Sequence, residues 1–330
     1  MNKKLYWIEN ARTAALISVI LLHVAGQGLY SKTPVPAPAW VVAAFFESFR
    51  FGVPVFIMIT GALVLSKEIE VVQFYKTRFH KIVLPFITFS LIYIAATFGI
   101  EKLISEGLTQ DLIWYTYKGF INGAFYHLWY VYLLINLYVI TPILQIIIKR
   151  LDKKNLEILL GIWLIYIISY GYNSGGLFDN KLIMNFLGYT GYYISGYYVL
   201  KYLKPSRLLG ILLFTAGLLS TFVLTYSSKT LTYYEYNTLN VFFEAAGMFI
   251  FLKAAKKNYK LRKTRNFINK YSYTVYLLHA MILLIMIRCG VTWDFYHPAV
   301  GILISTLLCL VLSVFVASIL KQIPFIKNIT

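Results

Sequence analysis

Apolar stretches of roughly twenty residues recur along the whole chain, each closed off by a polar or charged break, and that pattern leaves few folds open. A run of that length is what an α-helix needs to cross the hydrocarbon core of a bilayer. With 59% hydrophobic and 13% charged residues, the chain lies far from the balance of a soluble domain. The expected fold is all-α, a polytopic integral membrane bundle of about ten transmembrane helices. The runs place them at roughly 11–30, 40–65, 80–100, 125–148, 156–171, 183–202, 208–227, 238–254, 271–288 and 299–320.

The breaks alternate in charge. One set carries Lys3 and Lys4; Lys67, Lys76, Arg78 and Lys81; Lys149, Arg150, Lys153 and Lys154; Lys201, Lys204 and Arg207; the run from Lys253 to Lys270; and Lys321 and Lys327. The other set is nearly bare, with Lys32, Lys102, Lys118, Lys181, Lys229 and Arg288 offset by Glu101, Glu106, Asp111, Asp179, Glu235 and Asp294. Positive residues stay on the cytoplasmic side, so both termini are expected there, and the number of spans is even. The formal charge of +18 is thereby explained by topology and not by a nucleic-acid partner. Its densest run, Lys253 to Lys270, is expected at anionic lipid head groups, with attraction of an anionic cofactor as the alternative.

Met1-Asn2-Lys3-Lys4 before an apolar run resembles a signal peptide, but the run is long and carries Arg12 and His23, so it reads as a retained first helix. Cys289 and Cys309 are too few and too poorly placed for a disulfide framework or a metal cluster, and both read as packing residues. The external break over roughly 101–124 is modest, Pro34, Pro36 and Pro38 stiffen the first external loop, and one domain over 1–330 is expected.

Arg12, His23, Glu47, Arg50, His127, Glu244 and His279 remain inside or at the edge of the spans. A charge at the bilayer centre costs at least ~2.5–3.5 kcal/mol on insertion scales, so such groups face the bundle interior, paired or at work. Arg12 and His23 are eleven residues apart, within about 20° of one helical face and ~16 Å apart along the axis. Glu47 and Arg50 are spaced to pair on one face of the second helix, which Pro54 is expected to kink and where Gly52 and Gly61 permit close neighbours. Ser272, Tyr276 and His279 share a face of the ninth helix. His127, at the external end of the fourth, lies where an aromatic belt is expected. Buried ions of this kind suit a reaction centre, a proton-coupled transporter or flippase of a lipid-linked sugar, or a scaffold in which they only pair.

Tyr6-Trp7-Ile8-Glu9-Asn10-Ala11-Arg12, with His23 eleven positions after the arginine, resembles the first-helix signature of the membrane acyltransferase-3 family: an acidic residue, Arg, then His. Arg50 to Gly61 with Pro54 and Phe56, Phe74 to Pro85, His127-Leu128-Trp129, and Ser272 to His279 are similar to further blocks of that family, so the likeness covers the whole chain. Glu9 stands where many members carry Asp, and Ala11 and Thr13 replace the commoner Leu and Gly. The resemblance implies a cytoplasmic acyl-coenzyme A donor, a glycan acceptor, and essential roles for Arg12 and His23. Chemistry fits that implication: a sugar hydroxyl attacking a thioester needs a base, and histidine is suited to that near neutral pH.

The expected catalytic set is His23 as base, Arg50 or Tyr276 as oxyanion donor, His279 and Glu9. Arg12, Arg78 and Lys81 are expected to hold the donor phosphates, and His127, Trp129 and Glu244 the acceptor, with no metal. Transfer of acetyl from acetyl-CoA to a hydroxyl of a cell-surface glycan or its lipid-linked precursor, in the inner (cytoplasmic) membrane, is the expected activity. The expected partners are thus acyl-coenzyme A, a glycan or lipid-linked sugar, and membrane lipids, with no nucleic acid.

Overall fold

A computed structural model describes residues 6–99, 109–172, 181–255 and 262–323. Every regular element among them is helical: α1 (Tyr6–Leu29), α2 (Ala37–Glu47), α3 (Gly52–Val64), α4 (Val71–Arg78), α5 (Leu84–Phe98), α6 (Gln110–Asn122), α7 (Trp129–Arg150), α8 (Lys153–Tyr172), α9 (Lys181–Lys201), α10 (Arg207–Ser228), α11 (Leu239–Ala254), α12 (Arg262–Arg288) and α13 (Pro298–Leu320). Seven segments among the described residues are long and apolar enough to cross a membrane: Tyr6–Leu29, Ala37–Val64, Val71–Phe98, Trp129–Arg150, Arg207–Ser228, Arg262–Arg288 and Pro298–Leu320. The chain is therefore a helical, multi-pass membrane protein.

α1 is the hub, packed against α2, α3, α11, α12 and α13. Apolar side chains give no driving force for association inside lipid, so helices there close up where small residues let backbones approach. α3 and α9 do this reciprocally. A Cβ on Gly61 would lie 1.8 Å from the Tyr193 carbonyl oxygen, and one on Gly196 would lie 1.9 Å from that of Met58.

The second span is not one kinked helix. It breaks at 48–51 into α2 and α3, and Arg50 sits in the break. Pro54 does not cause the break: it falls in the first turn of α3, where backbone N–H groups have no helical partner to lose. A broken helix at membrane depth survives only if its freed peptide groups find partners. Ser18 on α1 supplies two, donating its hydroxyl to the Phe49 carbonyl at 2.7 Å and accepting the Gly52 N–H at 3.1 Å. Glu244 on α11 supplies a third, accepting the Arg50 N–H at 3.2 Å.

Other expectations shift as well. The break over roughly 101–124, expected to be external, contains α6, capped by the Thr109 hydroxyl. The third span begins at Val71 rather than near 80, through α4 and a π turn over Phe79–Val83. Pro38 stands in the first turn of α2 rather than in a loop. α12 begins at Arg262, so its 27 residues run about 40 Å and carry part of the basic run as helix. Two members of that run have partners inside the protein. The Lys253 ammonium donates to the carbonyls of Val199, Leu200 and Leu203, and Arg265 reaches Glu9 at 3.5 Å and Asn10 at 2.8 Å. Residues 256–261 of the run lie outside the described residues. Cys309 is buried as expected of a packing residue, whereas Cys289 is exposed.

Candidate functional site

The parts of α1, α2 and α12 nearest the 126–129 turn enclose a cavity of about 460 Å³. Its wall includes His23, Glu47, Arg50, Tyr126, Trp129 and Tyr236. Three histidines gather here from three separate elements. The His23 ring stacks on that of His279 with centroids 5.3 Å apart, and His127 stands edge-on to His279 at 4.9 Å. His127 and His279 are buried, while His23 lines the cavity. It is the ring that a substrate hydroxyl in that space can reach.

The two residues behind it are held through backbone groups. The His279 Nδ1 lies 2.6 Å from the Tyr276 carbonyl oxygen, which can only accept, so Nδ1 carries a proton and donates it there. The Tyr276 hydroxyl donates to the main-chain carbonyl of His127, pinning the turn before α7 to α12. Tyr93 reinforces the joint, donating to the Leu277 carbonyl at 2.9 Å and accepting the Met281 N–H at 3.1 Å. Among the described residues, no three His, Cys, Asp or Glu side chains form a metal-ligand set.

Arg50 faces the histidines from the break. Its Nη1 is 2.5 Å from Oε1 of Glu47, and its guanidinium lies 4.6 Å from the centre of the Tyr236 ring and 5.6 Å from that of Tyr234. The pairing anticipated from spacing is present, with Arg50 in the break rather than on a helix and both residues lining the cavity. Tyr30 approaches the same carboxylate oxygen at 3.4 Å. The other oxygen of Glu47 is buried and has no hydrogen-bond partner.

A second basic group occupies the opposite end of α1. Arg12 lies about 16 Å down the helix axis from His23. It is within electrostatic range of Tyr130, Tyr138 and Arg78, and the Arg78 guanidinium is stacked 4.8 Å from the Tyr138 ring and 5.2 Å from Phe74. Two arginines thus share one tyrosine-lined region below the histidine cluster.

The remaining expected site residues are dispersed. Glu9 is paired with Arg265 near the start of α1, some 21 Å of helix from His23, where it fastens α1 to α12. Glu244 is fully buried under the 48–51 break and lines no part of the cavity. Lys81 is exposed in the π turn. The Ser272 hydroxyl turns to the Asn269 carbonyl at 3.1 Å and does not join His279. Tyr276 spends its hydroxyl on the 127 carbonyl, which removes it as a free oxyanion donor. Trp129 lines the cavity.

Tyr30, Tyr126 and Tyr236 also line it, and none had been singled out from sequence. With 28 tyrosines in the chain, an aromatic belt masks the few that face a site.

A family model described as an acyltransferase domain, that of the acyltransferase-3 family, matches residues 5–320. No curated protein and no solved structure gives a significant match.

Proposed function

Since the chain belongs to the acyltransferase-3 family, we propose that it is an O-acetyltransferase that carries acetyl from cytoplasmic acetyl-CoA to a hydroxyl of a cell-surface glycan or its lipid-linked precursor. The observation that carries this reading is the arrangement along α1. A histidine on a cavity wall stands at one level, and a two-arginine, tyrosine-lined region lies about 16 Å away on the same helix. Family membership favours an enzyme over a transporter or a scaffold.

The proposed chemistry uses both levels. Arg12 and Arg78 hold the phosphates of coenzyme A, for which planar guanidinium forks are suited. The pantetheine arm then runs along α1 and brings the thioester carbonyl toward His23. His23 removes the proton of the acceptor hydroxyl as its oxygen attacks that carbonyl. Arg50, fixed by Glu47 and the Tyr236 ring, stabilises the oxyanion of the tetrahedral intermediate. Collapse breaks the carbon–sulfur bond, and the departing thiolate takes the proton from the imidazolium to give an O-acetyl ester and free coenzyme A. His279, stacked on His23, orients the base.

Ten spans with both termini in the cytoplasm complete this reading, on the charge alternation of the breaks. They put Arg12 at the donor face of the inner membrane and the His23 cavity toward the opposite face. The opening Tyr6-Trp7-Ile8-Glu9-Asn10 resembles that of the O-acetyltransferase of enterobacterial common antigen, which favours an acceptor from that class of surface polymer. The test is release of coenzyme A from acetyl-CoA by the purified chain in nanodiscs, coupled to mass spectrometry of surface glycans from cells with and without it. Absence of both an acetylated glycan and free coenzyme A would refute the assignment.

A further inference from the structure

A second cavity, of about 970 Å³, adjoins the first and shares Tyr126, Trp129 and Tyr236 with it. It follows one stripe of α7, in which Trp129, Tyr132, Leu133, Asn136, Val139 and Ile140 recur with helical spacing over about 16 Å. The end beside the histidine cavity is aromatic and polar. There Trp129 lies 5.6 Å from the Tyr189 ring and 5.7 Å from the Tyr236 ring, and Glu235 offers a carboxylate. The far end is aliphatic and open to the bilayer side, with Val139 57% exposed on a spanning helix. Asn136, exposed between the two ends, is a polar side chain where a lipid-facing position would be apolar.

The floor is built rather than incidental. The Tyr132 hydroxyl donates to the Phe120 carbonyl at 2.7 Å and holds the end of α6 against α7, and Tyr75 donates to the Val139 carbonyl at 2.8 Å.

The geometry points to an acceptor that is a glycolipid: its sugar passes along the Trp129–Tyr236 wall into the histidine cavity, and its hydrocarbon anchor lies along α7 past Leu133, Val139 and Ile140. Aromatic faces stack on sugar rings, the aliphatic track matches a chain, and continuity with the first cavity brings a hydroxyl of the head to His23. Among the described residues, no lysine or arginine lines the groove. What this lining offers an acceptor is ring faces, polar side chains and hydrocarbon. This rests on the acyltransferase reading and narrows its acceptor to the membrane-anchored form.

The experiment supplies radiolabelled acetyl-CoA to membranes holding the full-length chain and separates products into organic-extractable glycolipid and water-soluble saccharide. Label in sugar-bearing glycolipid is expected. Label in soluble saccharide alone would overturn the inference and leave the acyltransferase reading standing, whereas no label in either fraction would overturn both. Val139→Trp fills the aliphatic end from an exposed position that tolerates bulk, and should slow labelling at least tenfold. Leu307→Trp, at a 63% exposed position on α13, serves as the control. Equal rates for these two variants would remove the groove from acceptor binding.

Discussion

Replacing His23 by Gln separates chemistry from architecture, because His23 is the member of the histidine cluster that lines the cavity. Glutamine keeps a polar tip of similar reach and adds no charge to the membrane, but it cannot take a proton. Loss of a general base costs about 10²–10⁴ in rate, or roughly 2.7–5.5 kcal/mol of barrier at 1.36 kcal/mol per decade. His23→Gln should therefore insert and melt almost as wild type does while acetyl transfer per folded molecule falls by that factor. His279→Gln should behave differently. It removes the hydrogen bond to the Tyr276 carbonyl and the ring stacked on His23, so it should lower stability by about 0.5–1.5 kcal/mol and slow transfer by a smaller factor than His23→Gln. The assay is single-turnover transfer from acetyl-CoA in nanodiscs, normalised to folded protein by fluorescence-detected gel filtration, with thermal unfolding of the same samples. Near-normal specific activity for His23→Gln would refute the base assignment, and a selective collapse in His279→Gln would pass the role to that residue.

Three further outcomes test other parts of the account. Arg12→Lys keeps the charge but loses the planar fork shared with Arg78, so KM for acetyl-CoA should rise about tenfold with kcat little changed; unaltered donor affinity would remove Arg12 from phosphate binding. Gly61→Ala forces a methyl against the Tyr193 carbonyl, originally 1.8 Å from the ideal Cβ position, and should lower the thermal midpoint in detergent sharply. An unchanged midpoint would mean that α3 and α9 do not pack this closely. In a chain lacking Cys289 and Cys309, a cysteine at exposed Lys118 should react with an impermeant maleimide added from outside and one at exposed Lys263 should not. The reverse pattern would invert the topology.

The linear order of residues determined what the solvent decides. Span-length apolar runs separated by basic and bare breaks require a helical bundle in a bilayer, since transfer of apolar side chains and backbone pairing are local terms readable from neighbours in sequence. The Arg12/His23 stripe belongs to the same category, because both residues lie on one uninterrupted helix whose period fixes their relative direction. Glu47 and Arg50 were legible as a pair but not as a broken segment. The partners that make the break affordable are Ser18 on α1 and Glu244 on α11, the latter 194 residues from Arg50, and no local signal marks a side chain that caps another helix's freed peptide. His127 illustrates the same limit. From sequence it belongs to an interfacial aromatic belt, and only the packing of the 126–129 turn against α12, fastened by Tyr276, brings its ring to His279. The groove along α7 was equally hidden, because its walls come from α6, α7, α9 and the loop before α11. Which aromatic side chains in a tyrosine-rich chain face a cavity and which face lipid is decided by how helices far apart in sequence close on one another.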